Sequence, residues 1–391
     1  MKKLFCWLAA LVGLTMSAVS AQTAPQPPEI AARSYLLLDL SSDQVLAARE
    51  ADSPVQPASL SKLMTAYLVF DALRLERLGL KQSLSVSERA WRQPGSRMFI
   101  DTRMRVPVED LLKGLLVQSG NDAAMVLAEG VAGSEERFVQ LMNEQARALG
   151  MQSTRFVNPT GLPQPGQQST ARDLAVLASR LLRDFPERAH LHAIRKYHYE
   201  GTPPANDSNR NLLLFRDPSV DGLKTGHTET AGYCLIATAQ REFPRLGPAG
   251  APGARRLLAV VLGADSENAR ASEAQKLLNW GYAAFEAVKL FEANQPVLTP
   301  AVWKGQSAQV RLGRPQAVVV TVPAGQAGRL QTEAVRPDPL IAPLKKGQIS
   351  GTLKVKIGEH TLSNIPLIAL ESVEEAGLIG RAWDAFRLWI Q

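Results

Sequence analysis

The sequence predicts an α/β or α+β domain, then a small all-β sandwich, then a terminal amphipathic helix. Three observations carry this. Strand-like segments stand at both ends of the stretch up to residue 286 with helical segments between them, which is how a helix-covered sheet is written in a chain. Beyond Phe291, β-branched runs alternate with Gly and Pro turns. From Glu371 onward, aromatic and aliphatic residues recur at helical spacing. The chain has 391 residues, 45% of them hydrophobic and 21% charged, which is ordinary for a globular protein with a sizeable core.

The first residues read as an export signal over residues 1–21. Lys2 and Lys3 precede the apolar run Leu4 to Leu14, and small residues end it at Ala21. Its loss leaves Cys234 as the sole cysteine and lowers the formal charge from +7 to +5, so the mature chain has no disulfide framework and too small a surplus to point to a nucleic-acid partner. Residues 22–30, rich in Pro and polar groups, read as a linker. A domain over 31–286 follows. In it, Arg33 to Leu40 and Val45 to Ala48 flank a turn and form a hairpin, and Pro54 and Pro57 break regular structure before a helix opening at Ser59. Val108 to Leu149 is helical in pattern. Strands return near Asp221 to Gly226, Gly232 to Gln240 and Arg256 to Gly263, the last two bracketing a loop at Gly247 to Gly253, and a helix over Ala271 to Phe285 closes the domain. Residues 291–370 carry runs such as Ala317 to Val322 and Thr352 to Lys356, as in a small β-sandwich.

The chemistry gathers at Pro57-Ala58-Ser59-Leu60-Ser61-Lys62. On a helix, residues three apart are neighbours, so Ser59 Oγ and Lys62 Nζ come within hydrogen-bond reach: a hydroxyl nucleophile beside an amine that can take its proton. The same serine could instead cap a helix. Two further short motifs stand downstream, Ser119-Gly120-Asn121 between two helical runs and Lys224-Thr225-Gly226-His227 after a strand-like approach. Each alone is an ordinary turn.

Together and in this order, Ser-x-x-Lys, Ser-x-Asn and Lys-Thr-Gly are the signature of penicillin-interacting serine enzymes. The chain resembles a low-molecular-weight penicillin-binding protein of the serine D-alanyl-D-alanine carboxypeptidase family over nearly its whole length. Phe156-Val157-Asn158-Pro159-Thr160-Gly161-Leu162 and Ser169-Thr170-Ala171-Arg172-Asp173 belong to the likeness, as do the C-terminal β domain and terminal helix. The resemblance implies a transpeptidase or β-lactamase-like catalytic domain without cofactor or metal. It implies removal of the terminal D-alanine from peptidoglycan pentapeptide stems, a role in cell-wall maturation and cell shape, and covalent inhibition by β-lactam antibiotics. By analogy Ser59 is the nucleophile, Lys62 its base, with a pKa depressed by Lys224, and Ser119 a proton relay to the leaving D-alanine. Asn121 holds Lys62 and the substrate amide, and the backbone N–H groups of Ser59 and His227 form an oxyanion hole. Lys224 and Thr225, with Gly226 between Thr225 and His227, engage the terminal carboxylate, aided by a further cation. Arg270 aligns best for that place, and Arg210 is a second candidate.

A serine β-lactamase shares the three motifs, but its Ser-Asp-Asn type needs a glutamate-positioned water, and this chain has Ser-Gly-Asn and Phe156 to Pro163 instead. A penicillin sensor would need a membrane span leading to a signalling domain. Cleavage of peptide cross-links stays open, since the same acyl chemistry serves both bonds. His190 and His192 form a His-x-His pair without an acidic or cysteine partner, which suits a solvated loop better than a metal site. In residues 371–391, Ile379, Ala382, Trp383, Phe386, Trp389 and Ile390 make an apolar stripe suited to a membrane surface, although the acids Glu371, Glu374, Glu375 and Asp384 outnumber Arg381 and Arg387. The expected location is the periplasmic face of the inner membrane, held peripherally.

Overall fold

The computed structural model describes residues 25–244, 246 and 252–390. The expected export signal and most of the loop at Gly247 to Gly253 lie outside the described residues. Strands β1 (Ser34–Asp39) and β2 (Gln44–Arg49) form the predicted hairpin. A short pair, β3 (Ser83–Ser85) with β4 (Arg105–Pro107), stands apart. With β5 (Val220–Thr228), β6 (Gly232–Phe243) and β7 (Gly253–Ala264), the hairpin builds a five-stranded antiparallel sheet in the order β2-β1-β7-β6-β5. Strands from the two ends of the domain therefore pair side by side, Leu36 opposite Val260 and Leu37 opposite Ala259.

Successive side chains leave a strand on opposite faces, so both faces of this sheet are apolar and both are covered. Leu36, Ile236, Leu258 and Val260 join one large core with α1 (Lys62–Arg74), α2 (Glu88–Trp91), α3 (Val108–Leu116), α4 (Asn121–Ala132), α5 (Glu135–Ala148) and α6 (Ala171–Asp184). Leu37, Leu235, Ala237, Leu257 and Ala259 form a second core with the short α7 (Leu213–Arg216) and with α8 (Glu267–Ala284), which contributes Ala271, Ala274, Leu277 and Leu278. The helical run expected over Val108 to Leu149 is three helices. Ser119 (φ 57°) and Gly133 (φ 79°) break it in left-handed conformations that a helix cannot continue, and Ser134 Oγ caps the next start by accepting from Arg137 N. Helix α6 had only the Ser169 to Asp173 resemblance to mark it. Its signal was local: Thr170 Oγ1 accepts from Asp173 N at 3.1 Å, an N-cap just before the buried residues Leu174, Leu177, Ala178 and Leu181.

The C-terminal region begins with β8 (Phe285–Phe291), directly after α8. Then come β9 (Pro296–Leu298), β10 (Val302–Trp303), β11 (Leu312–Gly313), β12 (Val318–Pro323), β13 (Leu330–Val335), β14 (Leu340–Ile341), β15 (Ile349–Ile357) and β16 (His360–Ala369). A five-stranded sheet in the order β13-β15-β16-β11-β9 is accompanied by the pairs β8–β12 and β10–β14. Its own core of Val310, Leu312, Val320, Leu353, Val355 and Leu367 shares no residue with the other two.

The two regions are pinned together by a buried polar knot. Arg255 Nε of β7 donates to Asp39 Oδ2 of β1 at 2.8 Å, and both side chains are fully buried. Thr321 of β12 donates its hydroxyl to the same oxygen at 2.7 Å. The Gln44 side chain clasps the Thr321 backbone from both sides, at 2.6 and 3.0 Å.

Last comes α9 (Leu378–Trp389), whose polar side meets the β region while its apolar side faces out. Asp384 accepts from Lys304 N at 2.7 Å, and the Arg387 guanidinium lies 5.1 Å from the Trp303 ring centre. Leu378, Ile379, Trp383, Phe386, Trp389 and Ile390 are all more than half exposed. Among the described residues no helix is long and apolar enough to cross a membrane.

Candidate active site

Ser59 lies in a 3₁₀ turn, Ala58–Ser61, and α1 starts only at Lys62. The expectation of a helix opening at Ser59 is corrected accordingly. In a 3₁₀ turn residues i and i+3 eclipse, which aligns Ser59 with Lys62 more directly than an α-turn does. Ser59 caps nothing at this helix start. Its hydroxyl receives a hydrogen bond from Lys62 Nζ at 3.1 Å.

The turn is squeezed from two sides. Gly161 (φ 82°) approaches so closely that a Cβ there would fall 1.8 Å from Ala58 O, and a Cβ at Gly226 of β5 would fall 3.2 Å from Ala58 Cβ. The first position admits only glycine, and at the second any larger residue would have to push Ala58 aside. The first glycine belongs to the loop Phe156 to Leu162, which Asn158 knits together: its Oδ1 accepts from Gly161 N at 2.7 Å and from Thr160 Oγ1 at 3.0 Å. That loop presents Thr160 O to Lys62 Nζ at 2.6 Å. Sequence reasoning included the loop only as part of a likeness, because a backbone carbonyl leaves no mark in a residue pattern.

Lys62 is fully buried, and its ammonium meets three oxygens: Ser59 Oγ, Thr160 O and, at 2.6 Å, Asn121 Oδ1. Burial lowers its pKa to about 7. Asp122 opposes the fall and Arg210 adds to it. The expected cause, repulsion from Lys224, is therefore not the leading one. Desolvation is. Lys224 is itself buried and held well below the usual lysine range by desolvation, with repulsion from Lys62 second. Its Nζ donates to Ser119 Oγ at 3.0 Å and to Thr225 O at 2.9 Å.

Asn121 spends its amide on the protein as well, since Nδ2 donates to Pro94 O at 2.6 Å. The residue after it, Asp122, is buried and accepts from the backbone N–H groups of Met98, Phe99, Ile100 and Ala123, which fixes the segment beyond Pro94. Desolvation raises its pKa against those four bonds.

These groups border one cavity of about 210 Å³. Ser59, Ser119, Asn121, Thr225, Gly226 and His227 line it, and the two lysines stand behind that wall. Arg210 and Arg270 line it too, so the structure brings every residue named from the sequence to one place. Lining residues that were missed include Gly95 and Ser96, Tyr233, stacked on His227 with ring centres 4.0 Å apart, and Glu267, paired with Arg270. Tyr233 stands six residues after His227 and Glu267 three before Arg270, but neither has a spacing that marks it. His190 is exposed, but His192 is buried rather than solvated: Nδ1 lies 3.3 Å from Leu223 O, and burial brings its pKa down to about 4. Among the described residues no group of three or more His, Cys, Asp or Glu could hold a metal ion.

A buried amine poised on a serine hydroxyl, with a second serine–lysine pair across one small cavity, is equipment for acyl transfer. Comparison with known proteins agrees. The D-alanyl-D-alanine carboxypeptidase family, peptidase S11, matches residues 21–266, and the C-terminal domain of penicillin-binding protein 5 matches residues 285–375. The chain is 40% identical over 376 residues to the D-alanyl-D-alanine carboxypeptidase DacC of Escherichia coli, covering 94% of this chain and 90% of that one. The crystal structure of penicillin-binding protein 5 from Haemophilus influenzae superposes with a TM-score of 0.81 at 34% identity, over 90% of this chain and 100% of that one. Penicillin-binding protein D2 of Listeria monocytogenes in its ampicillin-bound form aligns with 66% of this chain and 100% of that one, at a TM-score of 0.57 and 32% identity. With motif geometry, catalytic-domain match and C-terminal match in accord, the chain belongs to the S11 family of serine D-alanyl-D-alanine carboxypeptidases.

Proposed function

We propose that Ser59 attacks the carbonyl between the two terminal D-alanines of a peptidoglycan pentapeptide stem. The observation that carries this is Lys62 Nζ, 3.1 Å from Ser59 Oγ and buried so that its pKa falls to about 7. The enzyme is a serine D-alanyl-D-alanine carboxypeptidase, and its residues divide the work as follows. Neutral Lys62 takes the Ser59 proton as the Oγ–carbon bond forms. The oxyanion is met by the backbone N–H groups of Ser59 and His227, each such donor contributing roughly 3–4 kcal/mol in comparable sites. Ser119, bridged to Lys224, relays the proton that Lys62 took on to the leaving amine as the peptide bond breaks, which returns Lys62 to its neutral form. Asn121 holds Lys62 in place, and Thr225 with Arg270 receives the terminal carboxylate while Lys224 lends positive charge from behind. Water then attacks the acyl-enzyme and releases the tetrapeptide and Ser59. A β-lactam carries a strained amide and a carboxylate into the same groups and is bound through Ser59.

The test is release of free D-alanine from diacetyl-Lys-D-Ala-D-Ala by the purified protein, with and without prior labelling by a fluorescent penicillin. Stoichiometric labelling that removes D-alanine release supports the assignment. Labelling without any release points to a receptor or transpeptidase. The pH dependence follows from Lys62. As a base it must be neutral, so kcat/KM should rise with pH through about 7 and level above it.

The terminal helix supports peripheral attachment to a membrane surface after export through residues 1–21. Three of the four acids that argued against it are occupied by the protein: Glu371 pairs with Arg311, Glu375 with Arg381, and Asp384 with Lys304 N. The outward face is left apolar. A chain ending at residue 370 should lose vesicle sedimentation while keeping full D-alanine release, and a truncated chain that still sediments would contradict the anchor.

A further inference from the structure

The first turn of α8 brings an acid into the cavity for which the reaction has no use. Glu267 Oε1 lies 3.2 Å from Arg270 Nη2, and among the described residues lining the cavity Glu267 is the only carboxylate. The rest of the guanidinium is turned inward: Nη1 donates to Gly226 O at 3.3 Å, Nη2 also to Arg210 O at 3.2 Å, and the Tyr233 ring centre lies 5.5 Å from its carbon. Arg270 is 2% exposed, yet Glu267 is half exposed. The one ionised partner of Arg270 is thus also the one that can leave. Glu267 opens α8 just after the N-cap Ser266, so its charge stays favoured by the helix start when it swings away from Arg270.

We propose that Glu267 is a specificity-determining residue, a built-in counter-ion that occupies Arg270 in the free enzyme and is exchanged for the free carboxylate of the substrate. The proposal rests on the assignment of Arg270 to that carboxylate. Binding of the substrate terminus is then a difference between two ion pairs, so the strength of the Glu267–Arg270 pair sets the discrimination between a free acid and a blocked C-terminus. The effect belongs in KM, because the exchange is complete before Ser59 attacks.

The experiment compares diacetyl-Lys-D-Ala-D-Ala with its C-terminal amide, using the whole protein, Glu267→Gln, Arg270→Ala and the double variant. Glu267→Gln should lower KM for the free acid about three- to tenfold, the range expected of a partly exposed charge-assisted pair, with kcat within about twofold and the amide unchanged. In the Arg270→Ala background the gain should vanish. A raised KM in Glu267→Gln, or an equal change for both substrates, would overturn the proposal by showing that the acid only orients Arg270 or stabilises the helix start. If Arg270→Ala keeps the free acid within about twofold of the parent, the Arg270 assignment fails and takes the Glu267 proposal with it. Loss in Arg270→Ala without any KM change in Glu267→Gln overturns the Glu267 proposal alone.

Discussion

Replacing Lys62 by methionine is expected to lower kcat/KM for D-alanine release by roughly 10⁴-fold, with an equal fall in the rate of penicillin labelling. The reason is local. No other amine or imidazole lies within hydrogen-bonding distance of Ser59 Oγ among the described residues, and an unassisted serine hydroxyl is a poor nucleophile at neutral pH. The companion Ser59→Ala should lose labelling completely and keep its fold, because it removes only one of three acceptors around Lys62. Lys62→Met removes the donor from Asn121 Oδ1 and Thr160 O in a dry site, so some instability will accompany it. The pH profile separates the two effects. If Lys62 is the base, the residual activity of Lys62→Met no longer rises through about pH 7, whereas a purely structural lysine would leave that limb in place.

The second large effect concerns stability. Asp39→Ala leaves Arg255 buried, charged and without its counter-ion, and is expected to lose about 3–5 kcal/mol in equilibrium denaturation. Thr321 loses its acceptor in the same step, so the junction between the regions weakens along with the sheet. Replacing both partners, Asp39→Leu with Arg255→Met, should recover most of the loss, because an apolar pair strands no charge and the Phe243 and Tyr282 rings that the Arg255 guanidinium now lies against can pack on an apolar side chain. A single variant within about 1 kcal/mol of the parent would show that the knot contributes little.

Much of this was legible in the residues. The hairpin of β1 and β2 was readable because a polar turn separates two apolar runs, and the pairing of strands from both ends followed from helices lying between them. The three motifs led to one cavity because each carries side chains with chemistry of their own. What escaped reading acts through the backbone or through distance. The 3₁₀ turn at Ser59 and the α-helix expected there share the same residue pattern for one turn, and the close approach of Gly161 and Gly226 to Ala58 comes from distant parts of the chain. The low pKa of Lys62 was anticipated, but its cause was misassigned: a charged neighbour can be guessed from a motif, while burial is a property of the assembled core. His192 escaped for the same reason.

The polar seam under α9 has a consequence for how the molecule meets its substrate. Asp384 and Arg387 fix the roll of that helix on the β region, and the Asp39–Arg255–Thr321 knot fixes the β region on the catalytic sheet. A surface that takes up Trp383, Phe386 and Trp389 therefore receives the whole chain in a single pose, with the cavity at one stand-off height. On the proposed attachment, search would run in two dimensions through a thin layer, and the stems trimmed first would be those whose tethers reach that layer.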